Sequence, residues 1–411
     1  MSTPDSTDYI ARIEGDLLRN ILPFWMDRVV DPAGDHFIGS LTNDLVADPA
    51  AERGALLTSR ILWTYAAAYG RYRDPAYLKM ADTAYSDLTT HFHDPRNGGF
   101  WWSVAADGSV LRDRKQVYGQ AFAVYALAEY HAATGRAEPL ERAIAVYRLL
   151  EGRAVDRRHG GYLEAFDRAW EPIADMRLSE VDLNEPKSQN THLHVMEAYS
   201  RLLAAWPDPG LRRSLTGLLE IMLSRIVNPA TGHLGLFFSE DWTPRSDRVS
   251  YGHDIEAAWL LAMAADVLQD PALEARIRPL AVRIAEVTLA EGVDSDGAVF
   301  NEGGPGGLTN TNKEWWPQAE AVVGFINAYQ ISSDERFLRA AFRTWDFIEL
   351  KLIDRRSGEW FRGVTRDGRV LEDELKVSFW KCPYHNGRTG LEAVRRLRLL
   401  RDQAPDGSTA K

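Results

Sequence analysis

The residues of this 411-residue chain that could do chemistry are histidine, carboxylate and guanidinium groups set inside apolar stretches. In SYGHDIEAAW, His253 and Glu256 stand three apart, so on a helix they share a face and can hydrogen-bond each other. The bland alternative is a structural polar pair at a helix start. In NTHLHVMEAY, His192 and His194 are two apart and point in different directions, so only one of them can face a common site. His385, after Pro383 and Tyr384, is either a core histidine or a group that titrates near neutral pH. Arg60, embedded in LLTSRILW, needs a carboxylate or a ligand oxygen once buried. Glu320, four residues after Trp316 in WWPQAEAVVGF, is similarly stranded and is a candidate partner for Arg60, in a site or in a plain ion pair. Imidazoles of this kind suit general acid–base catalysis, and a buried guanidinium suits an oxyanion.

The elements that must position these groups come from an internal repeat. A turn followed by aromatic or apolar residues begins at Asp31, Asp94, Asp156, Asn228, Asp294 and Asp354, at separations of 63, 62, 72, 66 and 60 residues. Turn formers followed by alternating aromatic and β-branched residues predict a tight turn and a short strand. Between these segments the apolar period becomes helical. An Ala- and aromatic-rich helix is followed by a more charged one, as in VYGQAFAVYALAEYHAA and then PLERAIAVYRLLEGRAV. Counting the opening segment TDYIARIEGDLLRNILPFWMDRVV as partner of the last helix gives twelve helices in six hairpins.

The first helix carries Ile21, Leu22, Phe24 and Trp25 and is too apolar to be a polar end cap. The expected fold is therefore all-α: an (α/α)6 toroid as one domain over 1–411, with short β-hairpin loops at one rim and a frayed tail at about 402–411. In such a ring the starts of the six inner helices meet around one cavity. Arg60, Tyr118, Asn190, His194, His253, Glu256, Trp316, Glu320, Trp380 and His385 all fall at that phase. Of the 13 tryptophans most are expected in the core, while those at the rim suit stacking on the C–H face of a sugar. His36, His91, His93, His131, His159 and His233 read as surface or turn residues, and Cys382 as a packed thiol.

Composition narrows the function. The apolar fraction of 45% supplies a large core, and no run of 18 apolar residues predicts a membrane span. A formal charge of −11 disfavours a nucleic-acid partner. One cysteine excludes an internal disulfide or a thiolate metal cluster. No basic stretch followed by an apolar one opens the sequence, so a cytoplasmic location is expected. The glycine-rich NEGGPGGLTN lacks the lysine and βαβ setting of a phosphate loop, and there is no Rossmann fingerprint or H-E-x-x-H. Nicotinamide, nucleotide and zinc chemistry are therefore not expected.

The segments NTHLHVMEAY, SYGHDIEAAW, WWPQAEAVVGF and FWKCPYHNGR, with SRILWTYAAAY and HGGYLEAFDRAW, resemble the N-acylglucosamine 2-epimerase superfamily, and within it the cellobiose 2-epimerases. The similarity covers essentially the whole chain and implies an (α/α)6 barrel. It also implies that His253 and His385 are an acid–base pair assisted by His194. Arg60, Asn190 and Glu256 would contact the reacting sugar or orient the histidines. Tyr118, Trp316 and Trp380 would line the site and stack on substrate, with Glu320 among the substrate-contacting groups. Asp182 and Glu302 would lie near a second sugar. Asn301 departs from the aromatic residue that relatives often carry there.

The chemistry implied is inversion at C2 of the reducing-end glucose of a disaccharide such as cellobiose or lactose, through ring opening and an enediol. No cofactor or metal is expected, and the partners are a sugar substrate and at most a second copy of the chain, not nucleic acid or membrane. The rivals are mannose–fructose isomerisation or monosaccharide epimerisation in the same superfamily, a pure sugar-binding protein, and a glycoside hydrolase. The hydrolase would need two carboxylates from Glu256, Glu320, Asp182 and Glu302.

Overall fold

The computed structural model describes residues 6–32 and 34–403. Six inner helices run at Ala55–Tyr72, Val117–Thr134, Gln189–Ala205, Tyr251–Leu268, Trp315–Ser332 and Tyr384–Gln403. Five outer helices begin at Pro75, Ala137, Pro209, Pro271 and Glu335, and each is followed by a five-residue π turn. The sixth outer helix is the N-terminal one, Ser6–Asp16 continuing through a π turn into Leu22–Arg28. Each inner helix packs on the next, and the sixth packs back on the first, which closes the (α/α)6 barrel. The expected frayed tail is corrected at its start: Asp402 and Gln403 complete the last helix, and 404–411 lie outside the described residues.

Local sequence explains the alternation. The inner helices are almost wholly buried because alanines and aromatics cover every face of them. Four end in a left-handed residue, Arg73, Gly135, Gln269 and Ser333. Three outer helices then start from an Asp-Pro pair, with Asp74, Asp208 and Asp270 accepting from backbone N–H groups of the first turn. The N-terminal helix seals the ring through buried polar bonds. Trp25 Nε1 donates to Glu359 Oε2 at 2.7 Å, Trp360 Nε1 to Asp16 Oδ2 at 2.8 Å, and Tyr65 OH to the Leu22 carbonyl at 2.6 Å.

Short strands form a second ring above the helices. The strand before each of the first five inner helices pairs antiparallel with the strand of the next repeat, as Lys115–Gln116 does with Ala165–Phe166. A bridge from Leu41 to Val377 closes this ring. Under it lies a repeated buried ion pair between the turn aspartate and the strand lysine: Asp94 with Lys115 at 2.9 Å, Asp156 with Lys187 at 2.7 Å, Asp294 with Lys313 at 2.9 Å, and Asp354 with Lys376. In the fourth repeat the aspartate is Asn228 and the lysine position is Val249. The charge is lost from both partners together, while Asn228 Oδ1 still accepts a turn N–H, from Ala230. A lone buried charge costs far more than a matched pair or none, which accounts for the joint change.

That rule is testable. Lys115→Val strands Asp94 and lowers unfolding free energy by about 3–5 kcal/mol in urea titrations. Adding Asp94→Asn recovers part of that loss, because the amide keeps the turn contact without the charge.

Candidate active site

The fourth residue of each of four inner helices pins the helix to its own strand turn. Gln120 accepts from Phe100 N and donates to its carbonyl, at 2.9 and 2.8 Å, and Gln318 does the same to Val299 at 2.7 Å. His192 Nε2 accepts from Tyr162 N and Asp254 from Leu234 N, both at 2.9 Å. His192 is thus the histidine of its pair that packs and caps. With the fourth residue turned outward, the second and sixth, four apart, share the face that looks along the axis. Those positions hold Tyr118, Asn190, Trp316 and His385 in the second place, and Arg60, His194, Glu256 and Glu320 in the sixth.

All of these but Glu320 line a cavity of about 560 Å³, the size of a small-ligand site. Arg60, Tyr118, Asn190, His194, His253, Glu256, Trp316, Trp380 and His385 line it, and Asp182 reaches it from the loop above. Trp316 contacts two of the imidazoles, its ring centroid 4.7 Å from that of His253 and 5.8 Å from that of His385. Gly252 makes room for it, since a Cβ there would come within 2.5 Å of the indole. Glu302 lines an adjoining cavity of about 240 Å³ that shares Asp182, Asn190, His253 and Trp316 with the first. It sits 3.7 Å from Arg248. Trp102, Phe379 and Arg362 also line the main cavity and were not singled out from sequence; Trp102 follows a turn motif, and only the closure of the ring places it here.

Two expected contacts are corrected. Glu256 does not hold His253: the Nδ1 of His253 lies 2.8 Å from Ser250 Oγ, one turn back, because Glu256 is drawn to Arg388 at 2.5 Å. Glu320 does not pair with Arg60 and lines neither cavity. It stands behind His385, with Oε1 2.7 Å from His385 Nδ1 and 2.7 Å from Arg388 Nη2, and accepts from Trp259 at 3.0 Å. Arg388, unassigned from sequence although it lies three residues after His385, is the hub. It bonds Glu197, Glu256, Glu320 and the Tyr384 hydroxyl. Glu197, likewise missed, lies three residues after His194 and holds its Nδ1 at 2.9 Å.

The electrostatics separate the two arginines. Arg388 faces three carboxylates. Arg60, only 3% exposed, has no carboxylate partner among the described residues. Its Nη2 donates to Tyr118 OH at 2.7 Å, its Nη1 to the Trp380 carbonyl at 3.4 Å, and it packs on the Phe122 and Tyr384 rings. Burial lowers the pKa of His253 to about 3, with the neighbouring His194 acting in the same direction. Burial, then Arg60 and Arg388, put His385 well below the ordinary histidine value. Burial also lowers His194, against the pull of Glu197. Burial raises Glu256 strongly, helped by Glu320. For Glu197, burial is outweighed by Arg388 and His194, and its pKa falls to about 2. The resting imidazoles are therefore neutral, each held at Nδ1 with Nε2 left for a ligand. Glu256, Glu320 and His385 bring potential metal-ligating atoms within 4.8 Å of one another, but Arg388 already bonds both carboxylates and fills that cluster.

Residues 36–386 match the family model for N-acylglucosamine 2-epimerase (GlcNAc 2-epimerase). A relative from Bacteroides fragilis named cellobiose 2-epimerase is 42% identical over 93% of this chain and 97% of its own length. The solved structure of cellobiose 2-epimerase from Spirochaeta thermophila superposes with a TM-score of 0.89 at 40% identity, covering 97% of this chain and 98% of that one. The cellobiose 2-epimerase structure from Bacillus thermoamylovorans gives 0.90 at 36% identity, covering 95% and 100%. No helix among the described residues is long and apolar enough to cross a membrane. With the match running from the first strand turn to the helix that carries His385 and Arg388, the chain belongs to the N-acylglucosamine 2-epimerase family.

Proposed function

We propose that this carbohydrate epimerase inverts C2 of the reducing-end glucose of β-1,4-linked disaccharides, cellobiose foremost, by moving protons between imidazoles on either side of an enediolate. The observation that carries this reading is the buried, carboxylate-free Arg60 facing a cavity ringed by three neutral histidines. A guanidinium held in that state is built to receive negative charge that appears only during reaction. Once the sugar ring opens, one imidazole takes the C2 hydrogen as a proton and the electron pair moves into C1=C2, leaving charge on O1. Arg60 and Tyr118 OH donate to that oxygen. The anion in turn favours the proton on the imidazoles, whose resting pKa values are low, so the same rings serve as base and then acid. The second imidazole returns a proton to the opposite face of C2; His253 can hold that proton at Nε2 while its Nδ1 accepts from the Ser250 hydroxyl.

Glu320 behind His385 and Glu197 behind His194 fix ring orientation and tautomer. Trp316 and Trp380 offer faces for the sugar rings, while Asp182 and Glu302 mark the direction in which a second sugar extends. A hydrolase reading draws no support from the carboxylates, because Glu256 and Glu320 share one guanidinium nitrogen instead of flanking a bond.

Replacing His253 or His385 with Asn lowers kcat on cellobiose by about 10²–10⁴-fold with the helical circular dichroism unchanged. Wild-type-like turnover by either variant refutes the acid–base assignment. Gly252→Ala pushes Trp316 away from His253 and His385 and reduces kcat/KM about tenfold or more, read by product chromatography. The lowered pKa of His253 also has a stability consequence. Its unfolded form binds a proton below about pH 6.5 and its folded form only near pH 3, so its contribution is present above 6.5 and lost as pH falls. Between pH 7 and pH 5 the wild type therefore loses about 2 kcal/mol of unfolding free energy relative to His253→Gln, measured by urea titration at both pH values.

A further inference from the structure

The three imidazoles of the cavity are backed differently. Behind His385 and His194 stand Glu320 and Glu197, both bonded to Arg388 and lining neither cavity. Behind His253 stands a hydroxyl: Ser250 Oγ lies 2.8 Å from Nδ1. Ser250 is absent from the wall of the main cavity and forms part of the wall of the adjoining one. That second chamber carries polar residues on its wall, Asp182, Glu185 and Ser188 among them, and a volume of about 240 Å³ accommodates water.

We infer that Ser250 is a proton relay for His253, connecting the Nδ1 of that imidazole to water in the second chamber. The inference rests on the acid–base role proposed for His253. When His253 Nε2 takes the C2 proton, Nδ1–H passes its proton to Ser250 Oγ, and the serine hydroxyl passes its own proton to water. One C–H bond breaks, one N–H forms at Nε2, one N–H breaks at Nδ1, and one proton reaches the chamber. The relay thus removes from this ring the positive charge that the anion would otherwise have to offset. In the opposite direction Nε2–H is given to C2 while Ser250 donates to Nδ1. A hydroxyl can accept and donate at once, which a carboxylate locked to Arg388 cannot do. The relay also explains how an imidazole kept neutral by burial works in both directions. Ser250 acts through His253 and is a positioning residue; it also accepts weakly from His253 N at the helix start, at 3.5 Å.

The test uses the full chain, cellobiose, and kcat measured in mixtures of light and heavy water. The wild type and Ser250→Thr, which keeps the hydroxyl, are expected to give a bowed dependence on deuterium fraction, the mark of several protons in flight. Ser250→Asn keeps a helix cap and an acceptor for Nδ1–H but cannot relay. It is expected to be at least about tenfold slower and to give a straight line. A straight line for the wild type, or a bowed one for Ser250→Asn at wild-type kcat, overturns the relay. The wild-type line decides the matter even if Ser250→Asn does not fold. Failure of the underlying epimerase reading is separately visible, as absence of solvent deuterium from C2 of the product.

Discussion

Arg388 ties the molecule together at its chemical centre. Carried by the last inner helix, it bonds carboxylates from the third, fourth and fifth, Glu197, Glu256 and Glu320, at 1% exposure. A guanidinium so deep would be prohibitive alone, and so would the carboxylates; together they satisfy one another. The arrangement exists only if the ring is closed, because the last helix must lie beside the fifth and first for its side chain to reach across. Closure in turn rests on the N-terminal helix, sealed by Trp25–Glu359 and Trp360–Asp16.

That network divides charge unequally, and the inequality creates the site. Arg388 is surrounded by acids; Arg60, one helix further round, meets a phenol, a carbonyl, a thiol and aromatic faces. The surplus positive charge faces the cavity, beside imidazoles whose own charging is opposed by burial. An anion formed there relieves both penalties at once, which is the electrostatic form of a site complementary to an enediolate rather than to a resting sugar.

The repeat makes this asymmetry possible without disturbing the frame. Positions that hold the helices to the strand ring are occupied by interchangeable hydrogen-bonding groups, Gln120, His192, Asp254 and Gln318. The turn ion pairs recur in four repeats, at Asp94, Asp156, Asp294 and Asp354, and both partners change together at Asn228 and Val249. With the frame fixed by one set of positions, the second and sixth residues of the inner helices are free to differ from repeat to repeat.

The sequence by itself determined the frame and part of the membership of the site. Turn spacing and helical period depend on local backbone preferences and on which face is apolar, and both can be read from neighbouring residues. So the six hairpins, the inner helices and the gathering of Arg60, His194, His253, Trp316 and His385 were legible. Which side chain bonds which was decided by tertiary structure. His253 and Glu256 are close enough along a helix to pair, but a carboxylate goes to the strongest available cation, and Arg388 comes from a helix more than a hundred residues away. The same competition took Glu320 from Arg60 and left Ser250 to His253. Pairing energies depend on distances across the closed ring, and no local pattern carries those distances.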